Sequence, residues 1–186
     1  MSDYQEDDIF KYDSIPEVFW SFEKDEPFNH CLVCSENLLV EGKNYFVEKA
    51  YNKGEVIFEY AMCLKCRDKL SEELSLQSRR LIEDYFAEHI DLETRRERLL
   101  EKQNLEIDHW LGHCIVKNKP IKTDSEYQVF AQCIGREMIY AYAPYAVSGE
   151  AIDDVIELLS NETLGILGDF TDKYFGIDVP QKLLLI

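Results

Sequence analysis

Apolar positions in the first half of the chain change period partway along. Over residues 44 to 50 and 55 to 62, β-branched and aromatic side chains flank Asn52, Lys53 and Gly54, and two such runs around a glycine-bearing turn predict a β-hairpin. After Cys63 the apolar positions fall at helical spacing, through Leu64, Leu70, Leu74, Leu81, Ile82, Tyr85 and Phe86. One or two helices are expected over 64 to about 89, with a break between residues 75 and 78. Asp91 and Thr94 offer another helix start, and the charge-laced run after them places Leu92, Leu99 and Leu100 on a buried side.

The second half repeats this order. Residues 126–133 and 136–143 read as strands around Gly135, Ser148 caps a helix to about Leu159, and a last helix spans roughly 162–175 before Gly176 and Pro180. The halves also match residue by residue. His30-Cys31-Leu32-Val33-Cys34 lies over His113-Cys114-Ile115-Val116-Lys117, and Ile57-Phe58-Glu59-Tyr60-Ala61-Met62 over Ile139-Tyr140-Ala141-Tyr142-Ala143-Pro144. Each block leads to a helix ending in a Leu-Ser pair, Leu74-Ser75 and Leu159-Ser160. This alignment puts Lys117 at Cys34, Tyr145 at Cys63 and Ser148 at Cys66.

Residues 1–30 hold nine acids and two lysines, yet also Phe10, Tyr12, Phe19, Trp20, Phe22 and Phe28. So many aromatics argue that part of the segment packs. Ser14 and Pro16 predict a short helix through Val18 to about Phe22, in a strap across the body or a docking peptide for another protein. The expected organisation is an acidic, aromatic-containing segment at 1–29, a cysteine-bearing lobe at 30–90, a helical connector at 91–108 and a second lobe at 109–186. The terminal Leu183-Leu184-Leu185-Ile186 is too apolar for a solvated tail; it is expected in a groove of its own chain or in a self-association contact.

Charge narrows the functions. Across 186 residues, 37 acidic side chains against 20 basic ones give a net charge of -17, which opposes binding to phosphate backbones or anionic membranes. Arg79, Arg80, Arg95, Arg96 and Arg98 form a locally basic stretch, but interleaved acids are expected to pair with it. No run approaches a bilayer span, and the N-terminus lacks a basic stretch followed by an apolar one. A soluble, cytoplasmic protein is expected.

The chemistry concentrates in cysteine. Cys31, Cys34, Cys63 and Cys66 form two CxxC pairs on either side of the hairpin; two residues between thiolates let one turn present both sulfurs to a tetrahedral ion. Four protein ligands leave no open coordination position, so the expected metal is one structural zinc per chain. His30, beside Cys31, is an outer contact or an alternative ligand. The spacing, with the second pair opening a helix, resembles a treble-clef or zinc-ribbon type of finger over residues 30 to about 75. The resemblance implies a fold and not an activity. The fold expected is α+β: a zinc-bearing treble-clef-like lobe, a helical connector and a degenerate, metal-free copy that keeps Cys114.

Other candidates carry less chemistry. His109, His113, Cys114 and Cys133 suggest a second metal site, but the cysteines lie in apolar runs where a thiol is an ordinary core residue. Asp153 and Asp154, like Glu72 and Glu73, read as solvated helix faces. No nucleotide-binding or hydrolase motif is present. The expected role is a protein-interaction or scaffold module, with nucleic-acid association and an enzyme with its site between the lobes as alternatives.

Overall fold

A computed structural model describes residues 10–101, 105–122 and 125–176; the terminal Leu183 to Ile186 run lies outside them. The architecture is mixed α and β. A short β1 (Lys11–Ser14) leads through a 3-10 turn (Glu17–Phe19) to the small pair β2 (Trp20–Ser21) and β3 (Glu26–Pro27). The first hairpin is β4 (Asn44–Asn52) and β5 (Glu55–Cys63), followed by α1 (Leu64–Glu73), α2 (Leu76–His89), α3 (Leu92–Glu101) and α4 (Ile107–Leu111). Then come β6 (Tyr127–Ile134), β7 (Glu137–Tyr140), β8 (Tyr145–Ser148), α5 (Gly149–Leu158) and α6 (Asn161–Phe175).

One antiparallel sheet runs through both halves, in the order β1-β7-β6-β4-β5 with β8 also on β6. Its centre is the pairing of β4 with β6, from Asn44 opposite Ile134 to Tyr51 opposite Tyr127. In the first hairpin Lys53 and Gly54 both have positive φ, 52° and 79°, as a tight two-residue turn matching strand twist requires. The expected continuous strand over 136–143 is instead broken. β7 and β8 lie along the same edge of β6, and residues 141–144 leave the ladder between them.

The sheet is covered on both faces, so its middle buries polar as well as apolar groups. Tyr45, Val47, Met62, Val129, Cys133 and Met138 join Trp110 and Phe19 in the main core, while Val147, Ile152 and Val155 of β8 and α5 meet Ile82, Tyr85 and Phe86 of α2. Lys49 on β4 is buried opposite Glu59 on β5, with their charged atoms 3.1 Å apart. The pair holds the N-terminal segment. Lys49 Nζ donates to Trp20 O at 2.6 Å, and the Glu59 carboxylate accepts from Ser21 Oγ at 3.0 Å and Phe22 N at 2.8 Å. The helix expected after Pro16 shortens to a single 3-10 turn, because this chain direction is set by contacts to the sheet rather than by helical hydrogen bonds.

Helices α1 and α2 break at Leu74, and α5 and α6 at Leu159, each break followed by a serine N-cap. Ser75 Oγ accepts from Ser78 N, and Ser160 Oγ from Thr163 N. The caps also bind each other: Ser75 N donates to Thr163 Oγ1 at 3.0 Å, and Ser160 N to Ser78 Oγ at 2.9 Å.

Candidate metal centre

Cys31 and Cys34 sit in a tight knuckle closed by hydrogen bonds from Cys31 N to Glu36 O (2.9 Å) and from Ser35 N to Cys31 O (3.0 Å). Ser35 turns the chain with φ of 59°. Leu32 N donates to Ala61 O at 2.9 Å, fixing the knuckle to the end of β5. Cys63 closes that strand and stands at the N-cap of α1, so Cys66 falls in the helix's first turn.

The four sulfurs lie within 4.8 Å of one another. Cys34 Sγ is 3.8 Å from Cys63 Sγ, and a tetrahedron with metal–sulfur bonds of about 2.3 Å has edges of about 3.8 Å. The donor set therefore fits zinc. Cys63 N points at Cys31 Sγ from 3.4 Å. Burial pushes the Cys31 thiol up, but N–H groups of Cys34, Cys63 and Val33 outweigh it and bring its pKa to about 7. Cys66 is pushed well up by burial and by the neighbouring thiols of Cys63 and Cys34. Four cysteines this close would all ionise only with a cation among them, which a divalent ion would supply. Lys65 and Lys69, on α1, border the same cluster and would offset the net negative charge of a divalent ion bound by four thiolates.

A second knuckle has the same hydrogen bonds with a single thiol, Cys114, in place of four. Cys114 N donates to Lys119 O (2.8 Å), Asn118 N to Cys114 O (2.9 Å) and Ile115 N to Ala146 O (2.8 Å), while Asn118 has φ of 51°. Cys114 Sγ accepts from Ser148 N at 3.3 Å, as Cys31 Sγ does from Cys63 N. Ser148 stands at the N-cap of α5, so it occupies the place of Cys63, and Ala151 that of Cys66. This corrects the sequence alignment, which put Tyr145 at Cys63 and Ser148 at Cys66. The break at residues 141–144 shifts everything after it, and Tyr145 instead stacks on Phe130 with ring centres 5.1 Å apart.

Lys117 occupies the position of Cys34, and the charges around it are inverted. The second and sixth residues of α1 are Lys65 and Lys69; those of α5 are Glu150 and Asp154. Lys117 Nζ lies 2.5 Å from the Asp154 carboxylate and 3.7 Å from Glu150. Asp154 also accepts from Tyr85 Oη at 2.9 Å, and the bonds from Lys117 and Tyr85 hold its carboxyl below the usual range. Asp154 is thus held by two side chains although its own side chain is 40% exposed.

His30 bonds Asn29 through Nδ1 at 2.8 Å and is exposed. His109 and His113 do not join Cys114 and Cys133 in a metal cluster among the described residues; both cysteines are buried, and burial pushes Cys133 up to about 12. In the basic stretch, Arg96 pairs with Glu93 at 2.7 Å, as interleaved acids predict, whereas Arg95 bonds backbone carbonyls. No protein-family model, curated protein or solved structure matches the chain. No helix is long and apolar enough to cross a membrane, among the described residues.

Proposed function

We propose that Cys31, Cys34, Cys63 and Cys66 hold one structural zinc ion, and that the protein acts as an interaction or scaffold module. The observation that carries the zinc is the sulfur cluster, whose four donors lie within 4.8 Å of one another; together they would fill a tetrahedral coordination sphere and leave no position for water or substrate. The order of knuckle, hairpin and ligand-bearing helix resembles a treble clef. The recurrence of the knuckle bonds at Cys114, and of the serine-capped helix break, supports reading residues 109–176 as a metal-free copy in which the Lys117 ammonium stands in for the ion.

The interaction reading rests on the surface beside the metal. Val33 and Leu64 are both 38% exposed and line a groove with Lys43, Lys65 and Lys69, alongside Asp68 and Glu72; Lys43 is paired with Glu36. Exposed apolar contacts beside Lys65 and Lys69, in a groove of mixed charge, suit a segment of another protein that carries an apolar side chain next to an acid. Elemental analysis of purified protein is expected to give one zinc per chain; none, or two, would overturn the site. For the partner, a Leu64→Ser/Lys65→Glu variant with full zinc content is expected to lose a defined cellular crosslink that the parent protein makes from this groove. A crosslink unchanged by the variant would overturn the interaction reading while leaving the zinc intact.

A further inference from the structure

Arg95 is half-buried on α3, and every group it bonds is neutral. Nη1 donates to Tyr142 O at 3.3 Å, and Nη2 to Trp110 O at 3.0 Å and Pro144 O at 2.9 Å. The guanidinium also lies over the Trp110 ring, 5.0 Å from its centre. Burial and the nearby Arg98 charge lower its pKa to about 10, so it stays a cation at neutral pH. No carboxylate pairs with it among the described residues, and carbonyl dipoles orient such a charge without cancelling it.

Arg98, one helical turn further, is exposed and makes no hydrogen bond or ion pair among the described residues. Both arginines line a groove of about 820 Å³ whose other walls carry His89, from the end of α2, and His109 and His113, from α4 and the second knuckle. Asp91 also borders it, but its carboxylate caps α3: Oδ1 accepts from Thr94 N at 3.0 Å and Oδ2 from Thr94 Oγ1 at 2.7 Å. In a chain of net charge -17, five arginine or histidine side chains from four segments line this groove; His89 Nδ1 is 2.7 Å from Tyr85 O and His109 Nδ1 is 3.7 Å from the Glu106 carboxylate.

We propose that this groove binds a small phosphate monoester. Donors on three walls suit a tetrahedral dianion, whereas a carboxylate is satisfied by a single guanidinium fork. Arg98 and the histidines take the phosphoryl oxygens, and Arg95, pinned from behind, supplies a fixed positive field. Ile90 and Leu99, on the same walls, face the organic part. The acidic surface beyond the groove repels a nucleic-acid backbone but admits one phosphoryl group. The inference does not depend on the zinc.

The test titrates phenyl phosphate, inorganic phosphate and benzoate into nitrogen-15-labelled full-length protein at constant ionic strength, read by NMR. Phenyl phosphate is expected to give saturable shifts centred on His89, Arg98, His109 and His113, with tighter binding than inorganic phosphate. Arg98→Ala is expected to weaken it about tenfold or more, while Arg80→Ala, on α2 away from the groove, leaves it unchanged. Shifts that never saturate, equal weakening by both substitutions, or unchanged affinity in Arg98→Ala would overturn the site. Benzoate binding as tightly as phenyl phosphate would overturn the phosphate assignment.

Discussion

The hydroxyl oxygens of Ser75 and Ser160 lie 3.0 Å apart, each capping its own helix while touching the other. Ser78 and Thr163 complete the cluster by accepting from the opposite cap's backbone. The start of α2 is therefore tied to the start of α6. Replacing Ser160 by alanine removes a cap and leaves buried partners unsatisfied, so a loss of about 2 kcal/mol is expected in urea unfolding. Ser75→Ala in the same background should cost less than it does alone, because the pair is already broken. Strict additivity would show that the caps act independently.

Removal of the metal should be far more damaging. Structural zinc contributes about 10 kcal/mol or more in small fingers, so Cys63→Ser is expected to lose zinc and to expose the first knuckle and α1 to protease. A variant with unchanged melting temperature and unchanged digestion would show that the fold stands without the ion.

The second knuckle makes a constructive prediction. Lys117→Cys, Ser148→Cys and Ala151→Cys together with Cys114 should reproduce the first donor set, and elemental analysis should then find two zinc ions per chain. Glu150 and Asp154 flank the new thiolates where Lys65 and Lys69 flank the natural ones, so a competing chelator should empty the new site first. A count that stays at one would mean that the two knuckles differ in more than their ligands.

The Lys117–Asp154 pair gives a pH dependence. Asp154 has a depressed folded-state pKa, so its contribution is present above the unfolded carboxyl value of about 3.9 and disappears as pH falls through the lower folded value. Asp154→Asn is expected to cost about 1 kcal/mol at pH 7, the upper end for a solvent-screened pair. The difference from the parent protein should shrink below about pH 4. A constant difference down to pH 2 would assign the loss to packing instead.

Much of this fold is legible in the sequence because it rests on local signals. The paired CxxC spacing, the turn at Lys53-Gly54 and the Leu-Ser helix breaks are each read within a few residues. The register of the second hairpin is not. A period-two apolar run matches another equally well after a slip, so the match of Ile57 with Ile139 conceals the interruption at 141–144 and misplaces Tyr145. The groove is hidden for a different reason. Arg95 looks paired among acids, but the residues a helical turn after it are Arg98 and Leu99, and Asp91, a turn before, is spent as a cap. Its real partners, the carbonyls of Tyr142 and Pro144, come from a distant segment that shows no motif.

Those two carbonyls are available to Arg95 because the second hairpin is interrupted. In the first hairpin β5 runs as one strand from Glu55 to Cys63, paired with β4 along its length apart from a bulge at Ile57. A chain of two faithful copies would present the same surfaces twice and would give Arg95 nothing comparable to hold. The interruption breaks that equivalence, so a single chain gains a front and a back: the proposed metal would stiffen one end, and the gap between β7 and β8 furnishes the other with a surface that the first hairpin does not offer.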